Sequence, residues 1–212
     1  YQSNTIIRVF TDDNIIGEAA VWNATYFEYD KYTAESLRHL LPILIGKNPL
    51  NIDEILFEIR PRVFPQPPGA QALIDNALLD IAGKKNNLPI YKLLGGKRDK
   101  ILSYASTVMY DTIDEYLKVI DEMINKGFKA VKFHTYCIPH KDLELAKAAR
   151  EAFPSMSFML DAENNYDLEN SIKVAKELEK LEYTWFEAPL PDYDFEGYKK
   201  ITDSVGIKII PS

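Results

Sequence analysis

The feature that most constrains this chain is a spacing. Short apolar runs recur through its second half, centred near Tyr104, Lys132, Asp161, Glu187 and Ile210, at intervals of 23–29 residues. The runs are 101–106 (ILSYAS), 129–134, 157–162 (SFMLDA), 183–188 (YTWFEA) and the closing IKIIPS. One helical pattern lies in each interval. Thr112-Ile113-Asp114-Glu115 reads as a capping box, in which a hydroxyl and a carboxylate each satisfy the other residue's backbone N–H, and Gly127 stops the helix it opens. Further helices are expected at about 141–152, 167–180 and 195–204. Strands that are apolar throughout are buried on both faces, and strands joined by single helices run parallel. Five strands and four helices follow. The spacing fits both a doubly wound open sheet and part of an eight-stranded barrel. A nucleotide-binding doubly wound fold would carry a glycine-rich loop after its first strand, and YASTVMYDT contains no glycine.

The first half has a different organisation. Residues 5–10 and 15–22 are β-rich runs split by Thr11-Asp12-Asp13-Asn14, which reads as a hairpin. Helices are expected over 32–45, from Asn51 with Glu54 as its cap partner, and over 69–86, where Ala72, Leu73, Ala77, Leu78, Leu79 and Ile81 are apolar at helical spacing. Pro61, Pro65, Pro67 and Pro68 are expected to separate the last two. Gly95-Gly96 closes the unit, so the domains read as 1–96 and 97–212.

Charge narrows the function classes. The net charge is −7, from 25 Lys+Arg against 32 Asp+Glu, which argues against a nucleic-acid or anionic-membrane surface. The one cysteine, Cys137, forms no intrachain disulfide and suits a reducing cytoplasm. No apolar run approaches the roughly 18 residues of a membrane-spanning helix.

Polar residues stand at the carboxyl ends of three successive strands: Lys132 and His134, then Asp161, then Glu187. Residues two apart in a strand share a face, so Lys132 and His134 point one way and Phe133 the other, against a helix. Two basic groups on a core strand cost free energy unless something uses them. Carboxylates on neighbouring strands, about 4.8 Å apart, can converge on one hard cation. Taken singly, each residue has a plainer reading: Asp161 a cap, Glu187 a loop carboxylate, His134 a satisfied core histidine. Co-location at one repeat spacing is what points to a site. Cys137 reads as packing, His39 as surface, and His140 as the start of a helix.

The segments NALLDIAGKKNNLPIYKLLGG (76–96) and DDNIIGEA (12–19) resemble the mandelate racemase/muconate lactonizing enzyme branch of the enolase superfamily. KFH (132–134) falls where that branch carries a Lys-x-Lys pair, and LDAENN (160–165) and WFEAPL (185–190) are similar to its first two metal-ligand strands. The resemblance implies an α/β chain, with an α+β capping domain lacking its first strand, then part of a (β/α)8, TIM-like barrel. It also implies Mg²⁺ held by Asp161 and Glu187, with a third ligand expected just beyond Ser212. His134 would be the acid/base, and Lys132 would hold the substrate carboxylate or lower its neighbour's proton affinity. The expected reaction removes the proton next to the carboxylate of a small substrate, as an acid-sugar dehydratase or a racemase/epimerase, with dehydration preferred. The alternatives are a cycloisomerase of the same superfamily and a non-catalytic fragment of such a barrel. A cytoplasmic homo-oligomer with no nucleic-acid or membrane partner is expected. Two departures stand out: the pair is Lys-x-His, and Glu163 stands two residues after Asp161, where many relatives have Asn.

Overall fold

The hairpin is present. β1 (Asn4–Phe10) pairs antiparallel with β2 (Ile16–Trp22), with Ile7 opposite Ala19. The computed structural model describes residues 4–22, 31–63 and 68–212. The chain divides into two compact units, Tyr1–Asp99 and Lys100–Ser212.

In the first unit, α1 (Lys31–Leu40) and a 3-10 turn (Leu41–Leu44) precede α2 (Ile52–Val63), α3 (Pro68–Asn86) and the short α4 (Ile90–Leu93). The helix expected over 32–45 is therefore two elements, tightened where Pro42 enters. The buried stripe of α3 is Ala70, Leu73, Ile74, Ala77, Leu78 and Ile81, at the 3–4 residue recurrence of a helix packed on one side. Ala72, expected inside, is exposed. Gly17 of β2 explains how closely the hairpin lies on α3: a Cβ there would come 2.2 Å from the carbonyl oxygen of Ala77. Pro61 is a correction. It lies inside α2, in the last turn, where its lost N–H breaks a single bond, and the helix ends two residues later. Pro65 and Pro67 lie outside the described residues.

The second unit alternates β3 (Ala105–Ser106), α5 (Ile113–Asn125), β4 (Ala130–His134), α6 (Pro139–Ala152), β5 (Ser157–Asp161), α7 (Leu168–Lys180), β6 (Trp185–Glu187), α8 (Phe195–Ser204) and β7 (Lys208–Ile210). The sheet is parallel and its order follows the sequence, β3-β4-β5-β6-β7. A doubly wound sheet reverses at a switch point; an order that never reverses is that of consecutive barrel staves. The architecture is thus part of a TIM-like barrel. The first strand is shorter than the expected 101–106, because the ladder starts at Ala105 opposite Val131. Leu102 is 97% exposed.

Local signals set the elements. Thr112 Oγ1 accepts from the Glu115 N–H at 3.3 Å, and Glu115 Oε2 accepts from the Thr112 N–H at 3.0 Å. Gly127, at φ 92°, ends the turn after α5. Phe133 is fully buried on the helix side of the sheet, against Tyr116 of α5 and against Phe158 and Tyr183, while Lys132 and His134 take the opposite face. Arg150 bolts the amino-terminal end of the sheet. Its guanidinium donates to the carbonyls of Pro154, Met156, Leu181 and Glu182 and lies 5.0 Å from the Phe158 ring centroid. That end carries stability, which leaves the carboxyl ends of the strands for chemistry. Among the described residues, no helix is long and apolar enough to cross a membrane.

Candidate active site

The register brings the strand-end residues to one level. His134 pairs with Asp161, and Asp161 with Glu187, across β4, β5 and β6. Paired residues in a parallel sheet point to the same side, so three polar side chains share one face at the carboxyl edge. Lys132 lies one pleat below. Its Nζ donates to Asp161 Oδ2 and to Glu187 Oε1, both at 2.8 Å. The Lys132 and Asp161 side chains are only 9% and 8% exposed. Burial works against the ammonium, but its bonds to the two carboxylates outweigh this and hold its pKa above the ordinary 10.5. Lys132 therefore keeps its proton. The ammonium stands between the two carboxylates. Converging carboxylates need a positive charge between them, and this lysine supplies it. The remaining oxygens are also engaged: Glu187 Oε2 accepts from Trp185 Nε1 at 3.0 Å, and Asp161 Oδ1 from the Glu163 N–H at 3.0 Å.

His134 is held on three sides. Its backbone N–H donates to Thr107 Oγ1 at 3.2 Å, and its carbonyl accepts from the Tyr116 hydroxyl at 2.6 Å. Its ring Nδ1 lies 2.6 Å from the carbonyl oxygen of Thr107. A carbonyl only accepts, so Nδ1 carries a proton. Nε2 then faces Asp161 Oδ2 at 3.4 Å and Glu163 Oε1 at 3.9 Å. Thr107 and Tyr116 were not legible in the sequence, since a lone threonine after a short strand and a tyrosine in a helix form no pattern. Trp185 was also missed, although its place two residues before Glu187 on the same strand face was a signal for it.

The loops beyond these strands hold strained backbone. Cys137 (φ 55°), Glu163 (48°), Asn164 (64°) and Ala188 (45°) are all left-handed without being glycine. Such residues persist only where their surroundings over-determine them, and they gather at functional sites. Hydrogen bonds tie the loops together: the Asn164 N–H donates to the Ala188 carbonyl at 2.7 Å and the Tyr166 N–H to the Pro189 carbonyl at 3.1 Å. Asp142, fully buried, accepts from the Tyr136 N–H at 3.0 Å and from the Tyr166 hydroxyl, joining the loop after β4 to the loop after β5. The residues set aside in the sequence take the plainer places expected of them. His140 is exposed in the first turn of α6, and His39 is exposed on α1. Burial pushes the Cys137 thiol up to about 11, which suits packing and not nucleophilic attack.

Asp142 gives a pH dependence. Burial raises its pKa above 3.8 despite the hydrogen bonds from Tyr166, Thr135 and the backbone. The folded protein thus binds this proton more tightly than the unfolded chain. The stability it contributes is complete below pH 3.8 and is lost as pH rises through the folded value. Asp142→Asn, which cannot ionise, is expected to lose less stability than wild type between about pH 4 and 8 in urea unfolding. Equal slopes would show that the Asp142 carboxyl titrates alike in both states.

The donor set fits a hard divalent cation. Asp161 Oδ2 and Glu187 Oε1 share one positively charged partner, so they lie no more than twice 2.8 Å apart. Among the described residues, no group of three His, Cys, Asp or Glu is placed to hold a metal. Two carboxylates suit Mg²⁺, which keeps several waters and takes ligands from its substrate.

Known proteins are similar to both units. Residues 1–95 match the mandelate racemase/muconate lactonizing enzyme N-terminal domain, and residues 115–211 match the enolase C-terminal domain-like family. This chain belongs to the mandelate racemase/muconate lactonizing branch of the enolase superfamily. A solved structure from Pseudovibrio sp., assigned to the mandelate racemase/muconate lactonizing enzymes, is 40% identical with a TM-score of 0.94, over 99% of this chain and 57% of its own. The hydrophobic dipeptide epimerase of Enterococcus faecalis is 26% identical over 98% of this chain and 59% of its own length. A dipeptide epimerase structure from that organism, complexed with Mg and the dipeptide L-Leu-L-Tyr, has a TM-score of 0.90 over 98% of this chain and 59% of its own. Arabinonate dehydratase of Saccharolobus solfataricus is 36% identical over 55% of this chain and 33% of its own length. The chain thus spans less than two thirds of each relative. Racemases, epimerases, dehydratases and a cycloisomerase stand among the proteins this chain is similar to.

Proposed function

We propose that this chain carries the metal-binding and acid/base residues of an enzyme that removes the proton next to a substrate carboxylate. Asp161 and Glu187 would hold Mg²⁺. When bound, the cation neutralises the charge that develops on the substrate carboxylate as the proton leaves. His134 takes that proton on Nε2, the nitrogen its Thr107 contact leaves available. Lys132, whose ammonium donates to both carboxylates, would act as fixed positive charge beside the substrate carboxylate. The observation that carries the reading is this division on one strand between a lysine that donates to both carboxylates and an imidazole whose Nδ1 meets a backbone carbonyl while Nε2 takes the face shared with Asp161.

Dehydration of a sugar acid is the preferred outcome. Glu163, 55% exposed, places an acceptor-only carboxylate 3.9 Å from His134 Nε2. Hydroxyl groups on the substrate satisfy such an acceptor, and the protonated imidazole can return its proton to a departing hydroxyl. Racemisation or epimerisation is the second reading, favoured by the dipeptide epimerase match along 98% of the chain. The test is proton exchange. The intact gene product with Mg²⁺ in D₂O is incubated with aldonic acids, aldaric acids and dipeptides, and deuterium at the carbon next to the carboxylate is followed by NMR. Exchange or water loss with sugar acids alone supports the first reading; exchange with dipeptides alone moves the assignment to the second. No exchange with any probe, in protein shown to bind Mg²⁺, would overturn the proton-abstraction reading.

A further inference from the structure

We propose that Thr107 is the positioning residue for the acid/base: it fixes His134 as the Nδ1–H tautomer and so makes Nε2 the nitrogen that exchanges protons with substrate. This rests on the reading of His134 given above, but it is tested without turnover.

The mechanism lies in how the β3–β4 ladder ends. Ser106 pairs with Lys132, and Thr107 continues the pattern by donating its N–H to the Lys132 carbonyl at 2.9 Å. In a regular parallel ladder the next bond would run from the His134 N–H to the Thr107 carbonyl. Here the His134 N–H goes to the Thr107 hydroxyl, at 3.2 Å. The side chain substitutes for the main chain. The Thr107 carbonyl is thereby released from the ladder and turned to His134 Nδ1, at 2.6 Å. The hydroxyl of Ser106, at 3.4 Å from the same nitrogen, is the longer contact. Thr107 is 5% exposed, so water does not compete for these groups. Tyr116 closes the frame by donating to the His134 carbonyl. A free imidazole prefers its proton on Nε2. The Thr107 carbonyl opposes that preference, and against the pull of the Asp161 and Glu163 carboxylates on an Nε2 proton it leaves Nε2 as the nitrogen on the face they share.

The test uses the three histidines of this chain, labelled with ¹⁵N and assigned by substituting His39 and His140. The spectra are taken where the rings are neutral, because ring nitrogen shifts then distinguish the tautomers. In wild type the Nδ1–H form of His134 is expected to exceed the Nε2–H form by about tenfold, the scale of one hydrogen bond. Thr107→Val removes the hydroxyl with little change of shape. The His134 N–H then reclaims the carbonyl, and the Nε2–H form becomes the major one. Thr107→Ser keeps the hydroxyl and the wild-type ratio. An Nε2–H majority in wild type would overturn the proposal. So would a wild-type ratio in folded Thr107→Val, or an Nε2–H majority in Thr107→Ser. If Thr107→Val does not fold, the wild-type and serine spectra still decide. Failure of the catalytic reading would instead show as normal turnover without His134 and would leave these spectra unchanged.

Discussion

His134→Ala in the intact gene product is expected to lower turnover by about 10²–10⁴-fold while Mg²⁺ affinity stays near wild type. That loss corresponds to about 3–5 kcal/mol of transition-state stabilisation. The separation follows from which atoms do what. The oxygens that converge belong to Asp161 and Glu187, and the imidazole is engaged through Nδ1 with a backbone carbonyl. Removing the ring leaves both carboxylates and their lysine in place. Glu187→Gln is the contrasting variant. It removes half of the converging charge, so metal affinity and turnover fall together. The measurements are Mg²⁺ titration and steady-state kinetics on both variants, using whichever acid exchanges its proton. Near-normal turnover in His134→Ala would place the base on another group. Lost Mg²⁺ binding in that variant would make the histidine a ligand.

The second large effect is on stability. Lys132→Met is expected to destabilise the metal-free protein by about 3–5 kcal/mol, the range for removing one partner of a buried charge cluster. Without the ammonium, the Asp161 and Glu187 carboxylates face each other across no more than twice 2.8 Å. At an effective dielectric constant of about 20, two like charges at that limit repel by about 3 kcal/mol. If Asp161 and Glu187 hold Mg²⁺, the cation would supply the missing positive charge, so its stabilising effect is expected to be larger in Lys132→Met than in wild type. Adding Glu187→Gln to Lys132→Met relieves the repulsion and recovers part of the loss. Urea unfolding with and without Mg²⁺ checks all three. A Lys132→Met protein as stable as wild type without metal would show that the lysine does not balance this pair.

The features legible in the sequence are those set by near neighbours. Thr112 and Glu115 lie within one helical turn, and their reciprocal bonds formed as the capping box requires. Two-residue alternation at 132–134 put Phe133 among the helices and left Lys132 and His134 on the other face. The regular strand interval was enough for five parallel strands. It was not enough to choose between an open sheet and a barrel, because periodicity says nothing of the side on which the next strand is added. The order β3-β4-β5-β6-β7 decided that. The same limit explains the shortened first strand, whose length depends on where β4 offers a partner.

The working details of the site are tertiary. Lys132 reaches Asp161 across 29 positions and Glu187 across 55, and His134 meets Thr107 across 27. The sequence named four of these five residues, all but Thr107, but could not show that the ammonium would lie between the carboxylates. Thr107, Tyr116 and Asp142 carry no local pattern, since their roles exist only where one strand or loop comes against another. Local sequence determined which residues share a strand face, because backbone geometry alone dictates that. Only the packed sheet decided which donor meets which acceptor, because a hydrogen bond is settled by differences of a few tenths of an ångström that no spacing along the chain encodes.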